Sequence, residues 1–426
     1  MESFALCVKI EIDGVLNKVG TISGSDSQNA SFSYDKAYLE RPCSHPISIS
    51  LPLTEKRFSA ENTRTFFEGL LPSGFSRKHI INALHIDESD YIAVLKILGK
   101  DYLGALNISD DSAETNECGY KLIDIGTLDF PDKDKPNTAG HKKTHLSVNG
   151  ACRKIGLYYD SKNNTWYQPL GLAPSNYIIK WSNDFYENLA VNEQLCLLTA
   201  QKLGITIPDS FILPVENKKR LQVPVLFATK RYDRIIDAQS NSFCGLPVPY
   251  RLHQEDFSQA LGIKLLEKYE PEGKQYLKSM FDILRLHSSN ALEDMTQLWK
   301  RCVFSYFIGN TDNHIKNFSL VYSKDLGSVK LAPCYDVMST LIYENISKKM
   351  AFSINHKIRI DKITRDDFKN ESRLVGYDEE LALHAFDEIR DNLDNALYES
   401  AKKLDSLGFI EARAIADKIL KLGYGK

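Results

Sequence analysis

The sequence predicts an α+β chain, with two separate sheets in its first 250 residues and a mainly helical remainder. Three observations carry this. Short alternations of apolar and polar residues fill 4–50 and return between about 145 and 250, the period of half-buried strands. After about residue 250 the apolar positions recur at the three-four spacing of helices. Between the β-rich stretches lies GTLDFPDKDKPNTAGHKKT, residues 126–144, dense in Pro, Gly, Asp and Lys and poor in apolar residues, as a connector is. A length of 426 residues, at about 150 per domain, also implies two or three domains. The expected division is a small α+β unit over 1–125, the connector 126–144, a β-rich unit over 145–250 and a helical unit over 251–426.

In order along the chain, FALCVKIEI, KVGTIS, ASFSY and HPISISLPL read as strands of a small antiparallel sheet. AENTRTFFEGLLPSGFSRKHIINALHI then turns helical, broken by Pro72 and Gly74, and ESDYIAVLKILGK continues as helix. Beyond the connector, HLSVNGA, KIGLYYD, WYQPLG, SNYIIKW and VPVLFATKRYD read as strands, with the helix ENLAVNEQLCLLTAQKLG among them, stopped at Gly204. The last unit holds DFSQALGI, KQYLKSMFDILRLH, ALEDMTQLWKRCVFSYFIG and two further helices over 376–404 and 408–422. In the third of these, Leu292, Met295, Leu298, Trp299, Cys302, Val303, Tyr306 and Phe307 form a wide apolar stripe, the mark of a core helix.

Composition excludes several classes. With 43% apolar and 26% charged residues the chain is an ordinary globular one. No apolar run approaches the roughly eighteen residues of a membrane span. The start, MESFALCVKIEIDG, alternates like a strand and lacks the pattern of a signal peptide, so a cytoplasmic protein is expected. Eight cysteines without CxxC pairs argue against disulfides and zinc. A net charge of −3 gives no overall attraction to nucleic acid or an anionic membrane.

One stretch breaks the apolar pattern. GNTDNHIKNFSL, residues 309–320, sets Asn310, Asp312, Asn313, His314, Lys316 and Asn317 between a core helix and a strand. A strand, a turn and a second strand, VKLAPCYD, then lead to Asp336. Helix, polar loop and a hairpin ending in Asp is the layout in which kinase-like phosphotransferases place their chemistry. Four residues separate Asp312 from Asn317, the spacing of base and metal-binding Asn in a kinase catalytic loop. An ionised Asp312 can orient and deprotonate an attacking hydroxyl. Asn317 and Asp336 offer the oxygen ligands that Mg²⁺ prefers, and Lys316 adds positive charge near a transferring group. Asx-rich loops are also common simple turns, and it is the agreement of three spaced positions that favours chemistry. A kinase further needs a strand lysine paired with a helix carboxylate. Lys180, ending YIIK, fits the first, and Glu193, with Glu187 as competitor, fits the second. SVNGACRK, residues 147–154, is the candidate phosphate loop.

ISISLPL, FFEGLLPSG, SVNGACRK, YIIK, ENLAVNEQLCLLTAQKLGI, KRYDR, HQEDFSQALG, GNTDNHIKNFSL and PCYDVMST, in that order, resemble the HipA family of bacterial toxin kinases from about residue 40 onwards. The resemblance implies a bilobal protein-kinase-like fold with an extra N-terminal α+β subdomain and a mainly helical C-terminal lobe. It further implies a serine/threonine protein kinase using ATP and Mg²⁺. By position, Asp312 matches the catalytic Asp, Asn317 and Asp336 the magnesium ligands, and Lys180 the phosphate lysine. Asn149, Gly150, Ala151, Cys152, Arg153 and Lys154 would cover phosphate, and Lys230, Arg231 and Tyr232 would form the adenine hinge. Gln254, His314 and Tyr335 would approach nucleotide, and Ser147 falls on an inhibitory autophosphorylation site. GACRK, where many members have GAQxK, and Lys230, in place of an acid, depart from the family pattern. The implied partners are a helix-turn-helix antitoxin with its operator DNA and a target aminoacyl-tRNA synthetase, such as the glutamyl enzyme. Two alternatives stay open: a small-molecule kinase of sugar or aminoglycoside type, since Asp312, His314 and Asn317 also fit D-x-H-x-x-N, and a co-repressor whose Lys357 and Arg359 touch DNA backbone.

Overall fold

A computed structural model describes residues 4–71, 77, 81–82, 85–98, 104–110, 119–127, 153–181, 186–214 and 225–424. The chain opens with β1 (Phe4–Ile12), β2 (Val15–Gly24) and β3 (Ser31–Tyr34), which join β4 (Leu106–Ser109) in an antiparallel sheet of order β3-β2-β1-β4. Its alternate residues Leu6, Val8, Ile10, Ile22 and Phe32 are buried, and the helix Ala60–Gly69 packs Phe66 and Phe67 onto them. Ser59 caps that helix by accepting from the Asn62 N–H.

HPISISLPL does not form the expected strand. Only a single bridge, Ser48 to Leu51, occurs there. Pro46 and Pro52 cannot donate to a ladder, and the polar groups of Ser48 and Ile49 are taken by the buried Glu255 side chain instead.

The second sheet is built from β5 (Gly119–Ile123), β6 (Arg153–Asp160), β7 (Thr165–Leu170), β8 (Tyr177–Trp181), β9 (Ser210–Pro214) and β10 (Val225–Lys230), in the order β5-β7-β6-β8-β10-β9. β5 was expected inside the first unit, and it lies instead at the edge of this sheet, paired with β7. The first unit thus ends at β4. Alternation within a short strand does not reveal which sheet it joins, because the partner is chosen by contacts distant in sequence.

One face of this sheet closes over a small cluster of Leu157, Trp166, Ile179, Leu226 and Ala228. The opposite face carries Lys154, Lys180 and Phe227, which sit side by side because they are direct partners across β6, β8 and β10. Against it lies the helix Leu189–Lys202, buried on every side from Leu189 to Ala200. A helix enclosed all round must satisfy its polar residues internally. Asn192 does so by clamping the backbone of Ser339, at 3.1 Å to its N–H and 2.9 Å to its C=O.

The remainder is mainly helical, with helices Tyr276–His287, Ala291–Phe307, Arg365–Leu374, Glu379–Ser406 and Glu411–Leu422. It also contains a three-stranded sheet of Gln254–Asp256, Ser319–Tyr322 and Val329–Leu331, and the hairpin Lys349–Ile354 with Lys357–Arg359. The Ala291–Phe307 stripe is buried as expected except for Leu292, which is 59% exposed in the first turn, and the half-buried Met295. Among the described residues no helix is long and apolar enough to cross a membrane.

Candidate active site

The polar loop is buried. Asn310, Thr311, Asp312, Asn313, His314 and Asn317 all lie inside the protein, and such burial is tolerated only where hydrogen bonds replace water. Gly309 starts the loop in the left-handed region, φ +67°, after the Ala291–Phe307 helix. A Cβ there would stand 2.6 Å from Leu422 Cδ1 and 3.2 Å from Leu341 Cβ. The Thr340 hydroxyl donates to the Gly309 carbonyl at 2.9 Å and accepts from the Thr311 N–H at 2.9 Å. Asn313 donates to Ser305 Oγ at 2.8 Å. The Asn317 amide nitrogen donates to the Asp312 carbonyl at 3.1 Å, which closes the loop on itself and leaves its amide oxygen as the remaining acceptor.

Asp312 Oδ1 accepts a 2.6 Å hydrogen bond from the Tyr269 hydroxyl. His314 packs edge-on against the same ring, with centroids 5.5 Å apart. Burial, with the Lys268 and Lys316 cations nearby, holds His314 well below its ordinary pKa, so the imidazole is neutral at pH 7.

Lys180 occupies the centre of the site. Its Nζ lies 2.6 Å from Glu193 Oε1, pairs directly with Asp336 Oδ1, and sits 5.3 Å from the Phe227 ring centroid. Burial alone would discharge the ammonium, but the two carboxylates hold its pKa above the ordinary lysine value. Burial likewise opposes the charge on Asp336, yet Lys180 and Lys154 hold it down to about 2. Glu193, deepest of the three, is pushed up to about 7 by burial against the pull of Lys180. Asp336 itself has a left-handed backbone, φ +53°, a conformation that Asp and Asn adopt more readily than most residues. Of the two carboxylates considered for the lysine, Glu187 is exposed and Glu193 makes the pair.

Lys316 pairs with Asp256, the N-cap of the short helix Phe257–Ala260, at 2.5 Å. Tyr232 and Tyr335 stack with centroids 5.6 Å apart. Tyr232 donates to Gln254 Oε1 at 2.6 Å, and the Tyr335 hydroxyl donates to the Lys316 carbonyl at 3.1 Å. Arg231 is committed to structure: its guanidinium grips Asp233 at 2.9 and 2.8 Å and donates to Ser175. Lys230 is exposed and reaches Asp209 at 3.3 Å. Ser147, Asn149, Gly150, Ala151 and Cys152 lie outside the described residues, and Arg153 begins β6. Lys357 and Arg359 are paired with Asp367 and Asp361 at 2.9 and 2.8 Å.

The arrangement sets Asp312, Asp336 and Glu193 among Lys154, Lys180 and Lys268. One carboxylate and one amide oxygen, from Asp336 and Asn317, suit a hard divalent cation. Among the described residues no group of three or more His, Cys, Asp or Glu forms a metal cage, and Mg²⁺ does not need one, because it keeps waters and takes ligands from phosphates. Tyr269, Lys268 and Asp256 were not foreseen from sequence; they come from outside the motif, and no local pattern marks them.

Two family models match the chain. The HipA N-terminal domain covers residues 12–109, and the HipA-like C-terminal domain covers 146–397, more than half of the sequence. The chain belongs to the HipA family. Within that family it is 31% identical to the candidate kinase Y4mE of Sinorhizobium fredii, over 84% of this chain and 83% of the relative. It is 26% identical to the serine/threonine-protein kinase toxin HipA of Shewanella oneidensis, over 73% of this chain and 70% of that one. A chain from the solved Shewanella oneidensis complex of HipA, HipB and operator DNA has the same fold, with a TM-score of 0.80, 21% identity and coverage of 97% of this chain and 96% of that one. The bilobal kinase-like HipA fold expected from sequence is therefore the fold of this chain.

Proposed function

We propose that this HipA-family chain is an ATP- and Mg²⁺-dependent serine/threonine protein kinase and the toxin of a toxin–antitoxin pair. The observation that carries the reading is the buried Lys180 held between Glu193 and Asp336, beside a loop that buries Asp312 and Asn317. A lysine bridging two carboxylates in the interior is a costly arrangement for stability alone, and it is the apparatus that positions nucleotide phosphates in kinases.

ATP bound with Mg²⁺ supplies the transferable phosphoryl group and offsets its negative charge. Lys180 and Lys154 attract the phosphates, and Asp336 with the Asn317 amide oxygen would hold the cation. Asp312, an acceptor-only group, orients the hydroxyl of the acceptor serine and takes its proton as the new oxygen–phosphorus bond forms and the bond to the departing ADP breaks. The neutral His314 and the Gln254, Tyr232 and Tyr335 group border the nucleotide. Lys316, tied to Asp256, holds the loop and carries positive charge to its edge.

The name of the Shewanella relative supports the toxin role, and the Shewanella complex of HipA with HipB and operator DNA supports an antitoxin that joins the chain to operator DNA; by the family resemblance that antitoxin is a helix-turn-helix protein. The protein target by this reading is an aminoacyl-tRNA synthetase, whose phosphorylation stalls translation, and Ser147 is the site of self-inactivation. Intact-mass spectrometry before and after Mg·ATP tests the core of the proposal. One added phosphate in the wild type, mapped to Ser147 and absent in Asp312→Ala, is expected. A wild type that shows neither self-labelling nor transfer to a synthetase would refute it.

A further inference from the structure

Resting on the kinase reading, we infer that Tyr269 is a positioning residue for the base Asp312, presented by a strap, residues 267–270, that is bolted to the helical lobe on three sides.

The strap is built for placement. The Glu270 carboxylate accepts from the Ser353 N–H at 3.1 Å and hydroxyl at 2.5 Å, and from the Tyr276 N–H at 2.6 Å. The Glu270 N–H donates to the Ala351 carbonyl at 2.8 Å. These bonds fasten the strap to the Lys349–Ile354 strand and to the start of the Tyr276–His287 helix. The Tyr276 hydroxyl reaches back to the Glu267 carbonyl at 2.6 Å. On its other side the Lys268 carbonyl accepts from Ile315 N–H in the catalytic loop at 3.4 Å. Tyr269 between these anchors has little freedom, and its hydroxyl meets Asp312 Oδ1.

The chemistry follows from the contacts. A carboxylate that must accept a proton from an alcohol needs one oxygen aimed at it, and a hydrogen bond to the other oxygen fixes that aim. The Lys268 ammonium sits 5.0 Å from the Tyr269 ring centroid, and a cation on the ring makes its hydroxyl a stronger donor. The His314 edge contact holds the ring plane. Tyr269 thus acts through Asp312 and need not touch the acceptor.

The test uses the full chain with Mg·[γ-³²P]ATP, reading total turnover of the γ-phosphate, protein-bound plus released. Tyr269→Phe keeps the ring and removes one charge-assisted hydrogen bond, so kcat should fall roughly tenfold. The KM for ATP should change less than about twofold, because nucleotide binding does not use the hydroxyl. Added to Asp312→Asn, the same change should cost less than about twofold, since a residue acting through Asp312 has nothing left to act on. An unchanged or faster Tyr269→Phe enzyme would overturn the inference, and so would an undiminished tenfold loss in the Asp312→Asn background. A wild type without turnover sinks the kinase reading with it, whereas an active wild type and an equally active Tyr269→Phe sink this inference alone.

Discussion

Replacing Lys180 by Met removes a buried cation and leaves Glu193 and Asp336 facing each other. In the native protein Asp336 is held at about 2 against an ordinary 3.8, an offset that corresponds to roughly 2 kcal/mol of interaction. Breaking a buried pair by deleting one partner costs about 3–5 kcal/mol at most, so the variant should lose roughly 2–4 kcal/mol at pH 7.5. The loss should shrink at pH 5.5. Without Lys180 the burial that raises Glu193 loses its main counterweight, so this carboxylate takes up a proton more readily than in the native protein, and lowering the pH further relieves its repulsion with Asp336. Urea titration of the ligand-free protein at both pH values measures this, and γ-phosphate turnover of the same samples should be abolished. A second replacement, Glu193→Leu, should recover part of the stability at pH 7.5 without restoring turnover. If Lys180→Met unfolds at the wild-type urea concentration at pH 7.5, the ammonium does not bind the two carboxylates as described.

Asp312→Asn keeps the shape of the loop and removes the proton acceptor of the proposed mechanism, so turnover should fall about 10²–10⁴-fold with little change in the urea midpoint. Glu255, raised to about 7 by burial in spite of three donors, binds a proton more tightly folded than unfolded. Its contribution is complete below about pH 4.5 and is lost as the pH rises through 7. Stability should therefore decline between pH 5 and 8, and in Glu255→Gln the decline should be shallower by up to roughly 3 kcal/mol, read from urea midpoints across that range. Gly309→Ala forces a left-handed backbone onto a residue with a Cβ and crowds Leu422 and Leu341. It should cost about 1–3 kcal/mol in thermal or urea unfolding and slow turnover as well, because the loop starts there.

How far the sequence disclosed all this depends on the range of each contact. The spacing of Asp312 and Asn317 is local, and the structure encloses both residues in one hydrogen-bonded loop. Lys180 and Glu193 are thirteen positions apart, on a strand and the next helix, and their pairing could be named in advance. Tyr269 reaches Asp312 across 43 positions and Glu255 reaches Ser48 across 207; neither contact leaves a periodic trace. The same limit explains residues 119–123, which lie inside the expected first unit with no strand read over them and which pair with β7 in the second sheet. In ISISL the alternation is present, but the backbone donors that would have made a ladder are dispersed: the Ile47 N–H goes to the Tyr34 hydroxyl, that of Ile49 to the Glu255 carboxylate and that of Ser50 to the Ser48 hydroxyl. Leu292 shows the reverse error: correct spacing in a first turn that extends past the packed body of the protein.

Three consecutive side chains of the Gln254–Asp256 strand leave in three directions. Gln254 meets Tyr232, Asp256 meets Lys316, and Glu255 crosses to Ser48 and Ile49. Close by, Lys316 donates to the Gly69 carbonyl and Gln259 to that of Phe66. The amino-terminal module is consequently not a detachable accessory. Cutting it away would strip a solvent-free acid of two of its donors and loosen the floor beneath the buried polar loop, so a shortened chain beginning near residue 120 should be expected to purify, if at all, as a poorly ordered fragment.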